Sequence, residues 1–134
     1  MVMDEARLRK TLEDLDGERW GSPTYGSHVV REAHRLRRIP IGDLTIENLR
    51  LLIGQKIGLD WLVPLALARL VDEPLAEGDF YPGDLVTSVL RIDGAYWDSH
   101  PDELLALWRV RESLEQLRAT SDPLLTDEPW PAFG

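Results

Sequence analysis

The residues best suited to chemistry or recognition lie in a short acidic segment between positions 72 and 84. It holds five carboxylates and an aromatic pair, namely Asp72, Glu73, Glu77, Asp79, Phe80, Tyr81 and Asp84. Prolines and glycines interrupt any helical period in this segment, which is therefore predicted to be a loop. Tight protein interfaces concentrate their binding energy in buried aromatic side chains, and charges that pair with Lys or Arg surround them. These seven residues are therefore the candidate partner-binding surface.

Two other interpretations of the segment compete with partner binding. In the first, these residues are structural: Asp79 or Asp84 caps the next helix, and Phe80 and Tyr81 fill the core. Such residues more often have this structural role. In the enzymatic one, the chain is a small metal-dependent hydrolase whose loop carboxylates bind an ion and act as general base. The spacing does not favour a calcium loop, because it lacks the alternating ligand positions and the terminal Glu.

Other candidates for catalysis are weak. His28, His34 and His100 do not form an HExxH motif, and the chain has no cysteine to complete a thiolate zinc site. Ser27 and His28 are neighbours whose side chains would point apart on a helix. The histidines are therefore expected to be structural, and neither catalysis nor a cofactor is predicted.

A basic patch lies at Arg31, Arg35, Arg37 and Arg38, three of which share one helical face. The formal charge of the whole chain is −9, which repels phosphate backbones and argues against nucleic-acid binding. The patch is therefore expected to pair with carboxylates of another helix, or to neutralise the 72–84 loop. The net charge suits a basic protein partner, although it could equally serve solubility alone.

The composition indicates a single globular domain. The chain has 134 residues, 43% of them hydrophobic, and no apolar stretch approaches the roughly 20 residues that span a bilayer. Its N-terminus lacks the apolar core of a signal peptide, so a cytosolic protein that does not bind membranes is expected. With no cysteine, its stability must come from packing.

Helical periodicity predicts an all-α, compact bundle of about six helices over residues 1–119, followed by an irregular Pro-rich tail over 120–134. The first helix should run from Asp4 to Leu15 and end at Gly17, and the next two should begin at caps Ser27 and Thr45. The fifth helix should begin at Pro82 and end at Gly94. The sixth should begin at Pro101, and its buried face should consist of Leu104, Leu107, Trp108, Leu114 and Leu117. In the second helix, Val29, Val30, Ala33 and Leu36 should be buried. The tail either packs Trp130 back onto the bundle or is disordered, and the first is expected because exposed Trp130 and Phe133 would be sticky.

The fourth helix carries the strongest apolar stripe. Residues at helical spacing predict one buried face: Leu59, Leu62, Val63, Ala66, Leu67, Leu70 and Val71. Asp60 is a candidate cap. Because Pro64 lacks an N–H, it belongs near the first turn, so a distorted first turn or a later start is expected.

Several runs of residues carry a resemblance to a known family. They are HRLRRIPIGDLTIENL at 34–49, RLLIGQ-x-IGL at 50–59, LVPLAL at 62–67 and PLAEGDFYPGDL at 74–85. Together they resemble the immunity proteins of bacterial contact-dependent growth inhibition (CDI) systems, from about Gly17 to about Arg118. The tail matches no part of that pattern.

The resemblance implies a small cytoplasmic protein that binds and blocks a toxin domain delivered by a neighbouring cell. Independently of the resemblance, a monomer is favoured. It implies no catalysis. Many toxins of such systems are nucleases with positive substrate clefts, so the expected partner is a basic toxin domain.

Overall fold

The computed structural model describes residues 5–20 and 26–120, and within them every regular element is helical. The elements are α1 (Glu5–Leu8), α2 (Leu12–Asp16), α3 (His28–Leu36), a 3-10 turn (Ile41–Asp43), α4 (Ile46–Gly54), α5 (Leu59–Asp72), α6 (Asp84–Leu90), α7 (Gly94–Ser99) and α8 (Pro101–Thr120). The all-α class predicted from the sequence is confirmed. Thr120, the first residue of the predicted tail, is the last residue of α8, and the rest of that tail, with Trp130 and Phe133, lies outside the described residues.

The core forms where α5 packs along α8 and where α4 packs against α5 and α6. Five members of the predicted stripe on α5 are buried: Leu62, Val63, Ala66, Leu67 and Leu70. Leu65 is buried too, because α5 is enclosed on more than one side. Leu59 is only partly buried, and the prediction was wrong for Val71, which is 41% exposed.

The start of α5 depends on Gly58 rather than on Asp60. Gly58 has a left-handed backbone with φ of 65°, and its carbonyl accepts the N–H groups of Trp61 and Leu62 at 3.1 and 2.9 Å. A Cβ at Gly58 would lie 2.8 Å from Leu12, so a side chain there would also collide with the core. Pro64 lies inside α5 and does not delay its start, so the predicted later start was wrong.

Local capping signals were reliable predictors of helix ends. The Ser27 hydroxyl accepts the N–H of Val30 at 3.4 Å, and Thr45 and Asn48 form a reciprocal capping box. Gly17 ends α2 in the left-handed conformation, and Pro101 is the first residue of α8. These four boundaries agree with the predictions.

Other boundaries differ from the predictions. The N-terminal helix is split in two, because Thr11 forms a capping box with Asp14 and starts α2 afresh. α6 begins at Asp84 instead of Pro82, and it ends at Leu90. Gly94, predicted to end that helix, instead begins α7, a helix that was not predicted.

Two further apolar residues predicted inside lie at the surface. Val30 on α3 is 40% exposed and Leu117 on α8 is 39% exposed, whereas Leu104, Leu107 and Leu114 are buried as predicted. None of the described helices combines the length and apolar character needed to cross a membrane.

The basic patch on and after α3 pairs mainly within the N-terminal half. Arg37 is 2% exposed, and its guanidinium donates to both carboxylate oxygens of Asp16 at 2.8 and 2.9 Å and to the Glu18 carbonyl at 2.7 Å. Arg38 pairs with Glu13 at 3.3 Å, so the expected pairing with another helix is confirmed for both. Arg35 instead pairs with Glu32 within α3.

Candidate functional site

The loop between α5 and α6 is organised from inside by the carboxylate of Asp84. This residue is 2% exposed and accepts backbone N–H groups of Gly78 at 2.7 Å, Phe80 at 3.1 Å and Tyr81 at 3.4 Å. Charge-assisted bonds of this kind are stronger than neutral ones. Asp84 therefore shapes the loop and does not contribute its carboxylate to the loop surface. Nor does it cap α6, which starts from Gly83.

Glu47 on α4 supports the same loop from the side. Its carboxylate accepts the N–H of Asp79 at 2.9 Å and forms a two-pronged ion pair with Arg50, with both N–O distances at 2.6 Å. The hydrogen bonds from Arg50 hold the pKa of Glu47 below its usual value and raise the pKa of Arg50. A Cβ at Gly78 would lie 2.5 Å from a Glu47 oxygen, so only glycine permits this close approach.

The aromatic pair is presented to solvent. Phe80 is 66% exposed and Tyr81 is 45% exposed, so the interpretation that they fill the core was wrong. The guanidinium of Arg50 lies over the Phe80 ring, 4.4 Å from its centroid. Such a contact restrains an otherwise free side chain.

Acidic side chains accompany the aromatic pair on the outside. Of the five loop carboxylates, four are exposed: Asp72, Glu73, Glu77 and Asp79. An open pocket of about 270 Å³ adjoins the pair, and its wall contains Arg50, Phe80, Tyr81, Asp84, Thr87, Ser88 and Arg91. In the described part of the chain, no three metal-ligating side chains come together as a metal site. The loop surface thus combines exposed carboxylates with two exposed aromatic rings.

Glu47 and Arg50 were not predicted as members of this candidate site. They lie 33 and 30 positions before Phe80, and no local spacing relates them to it. The available signal was their own pairing, since residues three apart on a helix are neighbours. Arg50 also begins the RLLIGQ run, so a second hint lay in the family pattern.

A second polar cluster joins the start of α5 to α7 and α8. The Tyr96 hydroxyl lies 3.1 and 3.2 Å from the two carboxylate oxygens of Glu103 and 3.2 Å from the carbonyl of Leu59. His100 stacks on Tyr96, bonds its carbonyl through Nδ1 at 2.7 Å and directs Nε2 towards Asp60 at 3.3 Å. Burial raises the pKa of Glu103 and also that of Tyr96.

The other two histidines lie away from this cluster. His34 contacts the edge of the Trp20 ring, with 5.0 Å between the ring centroids, and His28 is the exposed first residue of α3. The histidines are thus spread over separate parts of the described structure.

Comparison with known proteins identifies the family. A family model described as CDI immunity proteins matches residues 14–107, which include the whole 72–84 loop and both of its supports on α4. The resemblance found in the sequence is thereby confirmed. No curated protein and no solved structure gives a significant match.

Proposed function

The chain belongs to the family of CDI immunity proteins, and we propose that it neutralises one cognate toxin, a basic nuclease domain, in the bacterial cytoplasm. Proteins of this family inhibit toxins and are not enzymes. The hydrolase interpretation of the loop carboxylates is therefore set aside. The toxin domain would be the C-terminal part of a larger effector delivered by a neighbouring cell.

The main observation that supports the 72–84 loop as the toxin-binding surface is that Phe80 and Tyr81 are exposed among acidic side chains. A phenylalanine that is 66% exposed gains by being covered, and large aromatic residues supply much of the energy of protein interfaces. The six surface residues of the proposed contact are Asp72, Glu73, Glu77, Asp79, Phe80 and Tyr81. Asp84 supports them from within.

The charge of the chain supports a basic partner. With 24 acidic and 15 basic residues, the protein produces a negative field that accelerates encounter with a positive surface. A nuclease needs a positive cleft to hold its substrate, so an acidic inhibitor could either cover that cleft or dock beside it and block access.

The test uses the C-terminal domain of the effector encoded immediately upstream, purified with this protein and then separated from it in denaturant. We expect the refolded domain to form a complex with this protein, and co-expression to protect cells from the toxin. Association should slow as salt rises from low to physiological concentration, because screening weakens steering between opposite charges. Failure of the two proteins to associate would refute the proposed function, and salt-independent association would refute the electrostatic part.

The role of the loop acids is tested by the double variant Glu77→Gln with Asp79→Asn. Both side chains are exposed, so we expect slower toxin association with nearly unchanged thermal stability. Unchanged association would remove these two carboxylates from the contact surface. A large loss of stability would instead assign them a structural role.

A further inference from the structure

One face of the Phe80 ring is covered by the cationic side chain of Arg50, and the other face is open to solvent. On the inner face, the Arg50 guanidinium lies 4.4 Å from the ring centroid. Arg50 is itself held by two hydrogen bonds to Glu47, which also accepts the N–H of Asp79 at 2.9 Å. Since Glu47 and Arg50 are both on α4, the position of the ring is determined by a helix packed into the core.

This arrangement restrains the ring before any partner arrives. An exposed side chain normally loses rotamer freedom when it is buried in an interface, and that loss weakens binding. The contact with Arg50 limits the rotamers of Phe80, and the Asp84 carboxylate fixes the backbone N–H of Phe80 itself. Phe80 is therefore preorganised for binding.

The cation on the inner face also determines what the outer face can accept. An aromatic face attracts cations because its π electrons carry partial negative charge. The positive charge of Arg50 draws that density inward, so the outer face is a poor host for a second cation. An apolar side chain suits it better. The cations of a basic partner would instead pair with the exposed carboxylates of Glu77 and Asp79.

We propose that Phe80 is the apolar anchor of the toxin interface, and that Arg50 and Glu47 are positioning residues that hold it ready. The matching patch on the toxin has an apolar centre surrounded by Lys and Arg side chains. This inference rests on the proposed function, because it assumes that the loop contacts the toxin.

The first test replaces Phe80 and measures association and dissociation with the same upstream toxin domain. Phe80→Ala should raise Kd by about 30-fold or more, mainly through faster dissociation, as expected for an interface hot spot. Phe80→Leu keeps an apolar side chain and should stay within a few-fold of the original protein. A leucine variant as weak as the alanine variant would overturn the apolar contact, because leucine cannot host a cation as an aromatic ring does.

Salt provides a second readout of the same contact. The loss caused by Phe80→Ala should be the same at low and physiological salt, because burial of apolar surface is not screened. The loss caused by Glu77→Gln with Asp79→Asn should shrink as salt rises. A salt-sensitive loss for Phe80→Ala would contradict the proposed division between centre and rim.

The positioning role of Arg50 is tested by a double-mutant cycle. Arg50→Met, which keeps much of the side-chain length, should raise Kd about three- to thirtyfold when Phe80 is present. In the Phe80→Ala background it should cause no further loss, because Arg50 acts through the ring. Equal losses in both backgrounds would overturn the positioning role.

A matched control lies on α8. The Arg111 guanidinium is 4.5 Å from the centroid of the Trp108 ring and pairs with Glu115, as Arg50 does with Phe80 and Glu47, but it belongs to a different element from the loop. Arg111→Met should leave Kd unchanged. All binding is measured well below the thermal transition of each variant. If the original protein binds and Phe80→Ala binds equally well, this inference fails while the proposed function survives.

Discussion

The buried ion pair between Arg37 and Asp16 offers a sharp test of what stabilises the N-terminal half. The guanidinium of Arg37 donates two hydrogen bonds to Asp16 and one to the Glu18 carbonyl, and it lies 4.4 Å from the Trp20 ring centroid. The variant for this test is Asp16→Asn, which keeps the shape of the side chain but removes its charge. The amide would turn an NH₂ group towards the N–H donors of Arg37.

The magnitude follows from the burial of the pair. Arg37 is 2% exposed and Asp16 is 20% exposed at the side chain. Removing one member of a fully buried pair costs about 3–5 kcal/mol, because the other charge stays buried without compensation. Asp16 is partly exposed, and Arg37 keeps its hydrogen bond to the Glu18 carbonyl, so the cost should be smaller than for a fully buried pair. We expect Asp16→Asn to lower the free energy of unfolding by about 2–4 kcal/mol.

The pH dependence has a definite sign. The hydrogen bonds from Arg37 lower the pKa of Asp16 in the folded protein. Its stabilising contribution is therefore fully present above the unfolded pKa of about 3.9 and is lost as pH falls through the lower folded pKa. The difference between the original protein and Asp16→Asn should consequently be constant near neutral pH and shrink below about pH 4.

The assay is urea unfolding followed by circular dichroism, from pH 7 downwards. The matched control is Glu32→Gln, which breaks a similar two-pronged pair with Arg35 on the surface of α3, where Arg35 is 56% exposed. That pair should contribute at most about 0.5 kcal/mol. Equal losses for Asp16→Asn and Glu32→Gln would show that burial does not strengthen the Arg37–Asp16 pair. A loss for Asp16→Asn that stays constant down to low pH would show that the charge of Asp16 is not its source.

Three further predictions concern stability and are measured by the same unfolding assay. Leu67→Ala should lower the free energy of unfolding by about 2–5 kcal/mol, because Leu67 is 2% exposed. The control Val71→Ala on the same helix should lower it by less than about 0.5 kcal/mol. Equal losses would mean that the buried face of α5 is wrongly assigned. Tyr96→Phe should cost about 1–3 kcal/mol, because it removes the hydroxyl that bonds the buried Glu103, and no loss would show that Glu103 is satisfied without it. Gly78→Ala should both destabilise the protein and weaken toxin binding, because the added Cβ would collide with the Glu47 carboxylate that supports the loop. A variant with unchanged stability and unchanged affinity would contradict this close approach.

Local signals in the sequence were sufficient to predict the class of the fold. Helical period, cap residues and first-turn proline act within one or two turns of chain, so Ser27, Thr45, Gly17 and Pro101 marked boundaries that the structure reproduces. The family was equally accessible, since it is carried by contiguous runs of residues. Where a boundary failed, as at Gly94, the residue type was compatible with either a helix start or a helix end.

Which apolar residues are buried could be predicted only in part. Periodicity assigns a face to each helix, but it does not say how much of that face another element covers. Val71, Val30 and Leu117 carry the expected residue type and spacing, yet all three are about 40% exposed. The reason is that coverage depends on where neighbouring helices cross, which is a property of the whole arrangement.

Residue types alone specify the composition of the candidate site: an acidic loop, a pair of aromatic residues and a net charge that suits a basic partner. The orientation of these groups is a property of the folded chain, in which Asp84 is turned inward and Phe80 is turned outward. Folding also brings Glu47 and Arg50 to the loop from 33 and 30 positions before Phe80. The physical reason is that hydrogen bonds and ring contacts act over a few ångströms in space, whereas sequence patterns report only on neighbours along the chain.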